Sequence, residues 1–124
     1  MKFSIDKKEK YCIFKLRESK LNTLIAPKMK SEMVLLNAEG IKNIIIDFEE
    51  VNFIDSSGLS AILVGNRLSH DANGSFVLTN INDAISRLIR ISQLQDVLNI
   101  IPTLSESTDF ILMEELERDL KVDE

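Results

Sequence analysis

This chain of 124 residues predicts an α/β fold. The expected form is a single domain, a mixed central sheet of about five strands with about four helices packed on it. Three observations lead there. Short β-rich apolar runs alternate with longer runs of helical period, the pattern of a layered α/β domain. One apolar run, Ile44-Ile45-Ile46, is nearly continuous, as a strand buried on both faces requires. Helix-stopping residues, Gly40 and Asn73-Gly74, fall between the runs, and Pro102 closes the last short one.

Taken in order, Phe3 and Ile5 alternate with polar residues, and Tyr11 to Leu16 gives a second β-rich run. The charged segment Asp6-Lys7-Lys8-Glu9-Lys10 between them predicts a hairpin. Arg17 to Lys20 reads as a polar loop. Asn22 or Thr23 can N-cap a helix running to about Glu39, with Pro27 tolerated near its start. Met29, Met33, Leu36 and Val34 are its core candidates, and Gly40 its stop. Lys42 to Phe48 is the central strand. Glu49 to Asn52 turns the chain, and Phe53-Ile54 leads into a helix carrying Leu59, Ala61, Ile62, Leu63, Val64 and Leu68, ending at Asn73-Gly74.

Ser75 to Thr79 is the next strand. Asn82 caps a helix with Ile85, Leu88, Ile89 and Ser92 on one face. Val97 to Ile101 is a short strand before Pro102. Ser105 or Ser107 opens a last helix through Phe110, Met113, Leu116 and Leu120. Its Leu112, Leu116 and Leu120 recur every four residues, which reads as docking on the core rather than as a dimer seam. The order is β-β-α-β-α-β-α-β-α. One domain fills residues 1–124, with its core at about 3–116 and a charged, fraying tail at about 117–124. No repeat, low-complexity segment or linker interrupts it.

Composition narrows the function. A net charge of -5, with Lys and Arg scattered among acids, argues against nucleic-acid binding. No run approaches the roughly 18 apolar residues of a membrane span, and Met1 to Asp6 lacks a signal-peptide pattern, so direct membrane insertion is not expected. The single cysteine, Cys12, cannot form an internal disulfide, and a reducing cytoplasm is the expected location. One histidine, His70, reads as a solvated helix-end residue. One His and one Cys are too few for a zinc site, and the chain has neither a G-x-S-x-G elbow nor a glycine-rich phosphate loop. No metal, cofactor or catalytic residue is therefore expected.

The segment Asn52-Phe53-Ile54-Asp55-Ser56-Ser57-Gly58-Leu59-Ser60 places two hydroxyls and a carboxylate where a strand gives way to a helix. A helix N-terminus has unpaired N–H donors and partial positive charge, which favour an anion. A phosphate on Ser56 or Ser57 would be tolerated there, making this a candidate phospho-switch. Asp55 reads as a helix cap or as a group that orients the Ser56 hydroxyl, and the two roles are compatible. Ser57 reads as a capping or turn residue. Gly58 allows close backbone approach, and Leu59 reads as core.

In this order, the run Ile44 to Leu59 resembles the STAS family, named for sulfate transporters and anti-sigma factor antagonists. The match is nearest its bacterial anti-anti-sigma branch. Gly74 to Leu78 and Ile85 to Leu94 add to the resemblance, and the order of elements matches from residue 3 to about 116. The resemblance implies that the unphosphorylated chain binds an anti-sigma factor that is also a serine kinase, releasing a sigma factor. It implies phosphorylation at Ser56, the serine directly after the motif aspartate, and reversal by a metal-dependent serine phosphatase. ATP and magnesium belong to the kinase, so the chain itself is substrate and ligand, not enzyme. The resemblance also puts Asn22 and Thr23 in a loop that flanks the serine; a helix N-cap is the other reading of both. The implied partner surface is Asn22, Thr23, Asp55, Ser56, Ser57 and Gly58. The alternative within the family is a constitutive scaffold or adaptor subunit, of a stressosome or a lipid-transport ABC complex.

Three departures stand out. Glu18-Ser19-Lys20-Leu21-Asn22 replaces the family's frequent Gly-Glu-Leu-Asp. Ser60 replaces a small Gly or Ala, and Ser92-Gln93-Leu94 replaces Ser-Gly-Leu.

Overall fold

The computed structural model describes residues 1–122. Its elements run β1 (Phe3–Lys7), β2 (Cys12–Leu16), β3 (Lys20–Leu21), α1 (Ala26–Ala38), β4 (Ile44–Asp47), β5 (Phe53–Ile54), α2 (Ser56–Asp71), β6 (Phe76–Thr79), α3 (Asp83–Ile91), β7 (Asn99–Ile101) and α4 (Leu104–Val122). The main sheet has five strands in the order β1-β2-β4-β6-β7. β1 and β2 form the expected antiparallel hairpin, and all other pairs in this sheet are parallel.

Alternation along the strands divides the interior into two layers. Ile44 and Ile46 face a large core shared with Met29, Met33, Leu36, Leu59, Ile62, Ile85 and Ile89, from the three helices on that side. Ile45 and Val77 face the other way and meet Ile111 of α4. Each fully buried large apolar side chain contributes about 1.5–3 kcal/mol over its exposed state. The first layer therefore dominates stability, and α4 covers the second face.

α4 departs most from expectation. Its sheet-facing side carries buried Ser107, Ile111 and Glu115, with part-buried Leu104, Phe110 and Arg118. The Leu112, Leu116 and Leu120 series does not dock on the core; it faces solvent with Met113. The inward stripe is partly polar, which is why apolar periodicity picked out the wrong side. Asn43 is the hub of that polar layer. Its Nδ2 donates to the Lys10 carbonyl and to Glu115 Oε1, each at 2.8 Å, and its Oδ1 accepts from Ser75 N–H at 2.8 Å. Arg118 reaches both Glu115 and the Ser75 hydroxyl, and Lys42 lies 3.5 Å from Glu115. Burial pushes the Glu115 carboxyl upward, but Asn43, Lys42 and Arg118 outweigh it and hold it below 4.5. The helix runs to Val122, and residues 123–124 of the expected tail lie outside the described residues.

Helix ends needed smaller corrections. Neither Asn22 nor Thr23 caps α1, which starts at Ala26 after Ile25, with no side-chain cap and Pro27 in its first turn. Neither Ser105 nor Ser107 opens α4; Thr103 does, accepting from Glu106 N–H at 3.1 Å and donating to Glu106 Oε1 at 3.0 Å. That Thr-x-x-Glu spacing is a capping-box signal in plain sight. Val34 is exposed rather than core. Asn82 caps α3 as expected, accepting from Ile85 N–H at 2.9 Å.

Helices α1, α2 and α3 all end on a left-handed residue: Gly40 (φ 86), Asn73 (φ 59) and Gln93 (φ 59). The following N–H in each case reaches back across the turn, from Ile41 to Leu36, Gly74 to Ser69 and Leu94 to Ile89. Gly74 is glycine for space: a Cβ there would lie 2.0 Å from the Lys42 carbonyl oxygen.

Candidate functional site

A small parallel ribbon, β3 with β5, positions the Asp-Ser-Ser-Gly segment. Two-residue strands leave no periodicity, and β3 falls partly in the stretch read as a loop. Lys20 pairs with Phe53 and Leu21 with Ile54. Main-chain bonds extend the ribbon at both ends: Asn52 N–H to the Ser19 carbonyl at 2.8 Å, and Asp55 N–H to the Leu21 carbonyl at 3.2 Å. The ribbon lays residues 22–25 beside the start of α2.

Asp55 is the N-cap of α2, with Oδ1 accepting from Gly58 N–H at 2.9 Å. Its Oδ2 accepts from Thr23 N–H at 3.2 Å and from the Thr23 hydroxyl at 3.3 Å. The carboxyl is held below its ordinary 3.8, first by the Gly58 N–H and then by Thr23. Both carboxylate oxygens therefore hold the frame of the site. Ser57 is not the cap: it sits in the first turn, part-buried, with its hydroxyl 3.3 Å from that of Thr23. Ser56 opens the helix and faces solvent. Asn22 turns inward, its Oδ1 accepting from Leu24 N–H at 3.0 Å, and its carbonyl accepts from Ile25 and Ala26. It shapes the loop rather than contacting the serines.

Gly58 is buried against β3. A Cβ there would stand 2.3 Å from the Leu21 carbonyl oxygen and 2.9 Å from Leu21 Cγ. The site is thus a close-packed corner: Thr23, Asp55, Ser57 and Gly58 are tied together, and Ser56 stands out from it. Two exposed apolar side chains on the flanking segments, Leu24 (80% exposed) and Phe53 (49%), had escaped the sequence reading. Each stands directly before an isoleucine that packs inward, Ile25 or Ile54, and no period marks which of the two faces out.

The helix N-terminus is less free for an anion than its sequence implied. Asp55 already takes the Gly58 N–H, and its negative charge occupies the mouth of the helix. A phosphate on Ser56 would add about -1.5 to -2 charge next to that carboxylate and be driven outward into solvent. Among the described residues no three His, Cys, Asp or Glu side chains gather as metal ligands, and no helix is long and apolar enough to cross a membrane. His70 is exposed in the last turn of α2.

The family model described as "STAS domain" matches residues 2–107. Among solved structures, the protein TM1081 of Thermotoga maritima is 22% identical, with 88% of this chain and 93% of that one covered at a TM-score of 0.79. The anti-sigma factor antagonist SpoIIAA has been solved unphosphorylated and, from Bacillus, phosphorylated. The phosphorylated form is 20% identical, over 89% of this chain and 99% of that one, with a TM-score of 0.69. A sulfate transporter family protein from Wolinella succinogenes is 14% identical, over 84% of each chain, with a TM-score of 0.69. At these identities the likeness is one of fold.

Proposed function

Because this chain belongs to the STAS domain family, we propose that it is an anti-sigma factor antagonist switched by phosphorylation of Ser56. In the unphosphorylated state it binds an anti-sigma factor that is also a serine kinase, and so frees a sigma factor. The kinase brings ATP and magnesium, and a serine phosphatase restores the binding form. The chain needs no cofactor and performs no catalysis.

One observation carries this reading. Ser56 is exposed at the first position of α2, on a corner whose other members are locked to one another. Modification there alters the surface and leaves the frame intact. A partner seated over Ser56 would bury the new charge beside Asp55. An unpaired buried charge costs on the order of 3–5 kcal/mol, and a loss of ~4 kcal/mol weakens binding about a thousandfold. Local electrostatics suffice, with no refolding.

The test is to purify tagged Ser56→Ala and Ser56→Asp proteins from the native host and identify what accompanies each. An ATP-binding kinase retained by the alanine form and lost from the aspartate form is the expected result. If one transporter or large assembly accompanies both forms equally, the switch is refuted and the chain is a constitutive scaffold.

A further inference from the structure

The solvent side of α4 carries Leu112 (45% exposed), Met113 (58%), Leu116 (54%) and Leu120 (58%). At 100° per residue these four fall within an arc of about 100° centred near Leu116, over a length of about 12 Å. Chance scatters exposed apolar residues singly; a contiguous stripe marks a contact surface. It lies on the helix that covers the sheet face opposite α2, so it is separate from the Ser56 corner.

What surrounds the stripe selects its occupant. Exposed Glu106, Asp109, Glu117 and Asp119 lie within about 100° of Leu116 around the helix. The bases of α4 are elsewhere: Arg118 is bound to Glu115 and Ser75, and Lys121 stands about 140° away. A second copy packing through the same stripe would bring these acids against one another. Four half-exposed side chains offer roughly 400 Å², about half the ~800 Å² each partner of a stable complex contributes, so a contact here is a transient one. An anionic lipid surface would be repelled by the same rim.

We propose that this stripe docks a basic amphipathic helix of another protein, with its apolar face on Leu112, Met113, Leu116 and Leu120 and its Lys or Arg residues over the acidic rim. A single helix matches the length and width of the stripe, and charge complementarity sets its sign. The surface serves equally a switched antagonist or a constitutive adaptor, and its test is independent of Ser56.

The probe is a fluorescein-labelled 18-residue peptide of Leu and Lys with helical amphipathic spacing, read by anisotropy against the intact chain. A Leu–Glu peptide of the same pattern is the control. The key variant is Leu116→Ser with Leu120→Ser, which leaves every charge in place on an exposed face; its melting curve verifies the fold. The expected result is binding of the Leu–Lys peptide only, at least tenfold weaker for the double variant and weaker as salt rises. Equal affinity for wild type and variant overturns the proposal, since attraction to net charge alone would explain it. Equal binding of both peptides overturns it as well. A concentration-dependent dimer in sedimentation, abolished by the double variant, would assign the stripe to a second copy. Leu116-dependent binding to phosphatidylcholine–phosphatidylglycerol vesicles would assign it to a membrane.

Discussion

Replacing Gly58 by alanine sets two effects of known size against each other. In a helix, alanine is favoured over glycine by about 1 kcal/mol. Here the added Cβ would lie 2.3 Å from the Leu21 carbonyl oxygen, so ordinary contact requires that oxygen to retreat by about 1 Å. The oxygen belongs to β3 and accepts from Asp55 N–H at 3.2 Å, a bond with little slack. Losing it costs about 1 kcal/mol net, and forcing an atom into a packed site costs about 1–3 kcal/mol more. Strain therefore outweighs propensity, and Gly58→Ala should destabilise the protein by about 1–3 kcal/mol. At roughly 3–5 °C per kcal/mol for this length, the midpoint falls by about 3–15 °C. Urea and thermal melts measure the total. Amide exchange of Asp55 and Thr23 locates it, because the ribbon and the 22–25 loop should open before the main sheet. Equal or higher stability, with unchanged protection at those amides, would refute the claim that close approach of β3 fixes the site.

The other expectations concern stability and reactivity. Gln93 holds φ 59 at the end of α3, where a side chain costs about 1 kcal/mol that glycine avoids, so Gln93→Gly should raise the unfolding free energy from urea melts by about that amount. Asp55 and Glu115 both have carboxyls held below their ordinary 3.8 and 4.5. Their contribution is complete above those values and is lost as pH falls through the lower folded ones, so stability should drop on going from pH 6 to pH 3. Glu115→Gln should flatten that drop, and an unchanged slope in pH-dependent melts would count against the Asn43–Glu115–Arg118 layer. Cys12 is fully buried, and burial raises its thiol to about 11. It should react with a thiol reagent at pH 8 only at the rate of global unfolding; fast labelling of the native protein would contradict that.

The fold was legible where a rule ties residue pattern to geometry. Ile44-Ile45-Ile46 could only be a central strand, Asn82 a cap and Gly40 a stop, and each is so placed. The ribbon of β3 and β5 was not legible, because two residues carry no period and its bonds are all main-chain. The orientation of α4 was misread for a related reason. A buried Ser107 and Glu115 look like surface residues until the Thr103 carbonyl is known to accept from the first, and Asn43, Lys42 and Arg118 to meet the second. At the site, the type of each group was readable from Asp55-Ser56-Ser57-Gly58, and so was the cap. The pairing of Asp55 with Thr23, 32 residues away, depends on the ribbon and has no local signal. The unusual loop Glu18 to Asn22 still forms this pairing, because its shape comes from backbone bonds and from the Asn22 side chain on Leu24 N–H.

That last fact bears on how such a surface can diverge. The ribbon fixes the path of residues 19–21 through main-chain groups of Ser19, Leu21, Asn52 and Asp55, and the Asp55 and Asn22 side chains hold residues 22–25, while the side chains of Glu18, Lys20 and Leu24 bear little of the load. Copies of such a gene in one genome can therefore trade these side chains freely. Each copy keeps the same corner and the same exposed serine, yet presents a different surface. A few exposed substitutions can remake that surface, with the folding problem already solved.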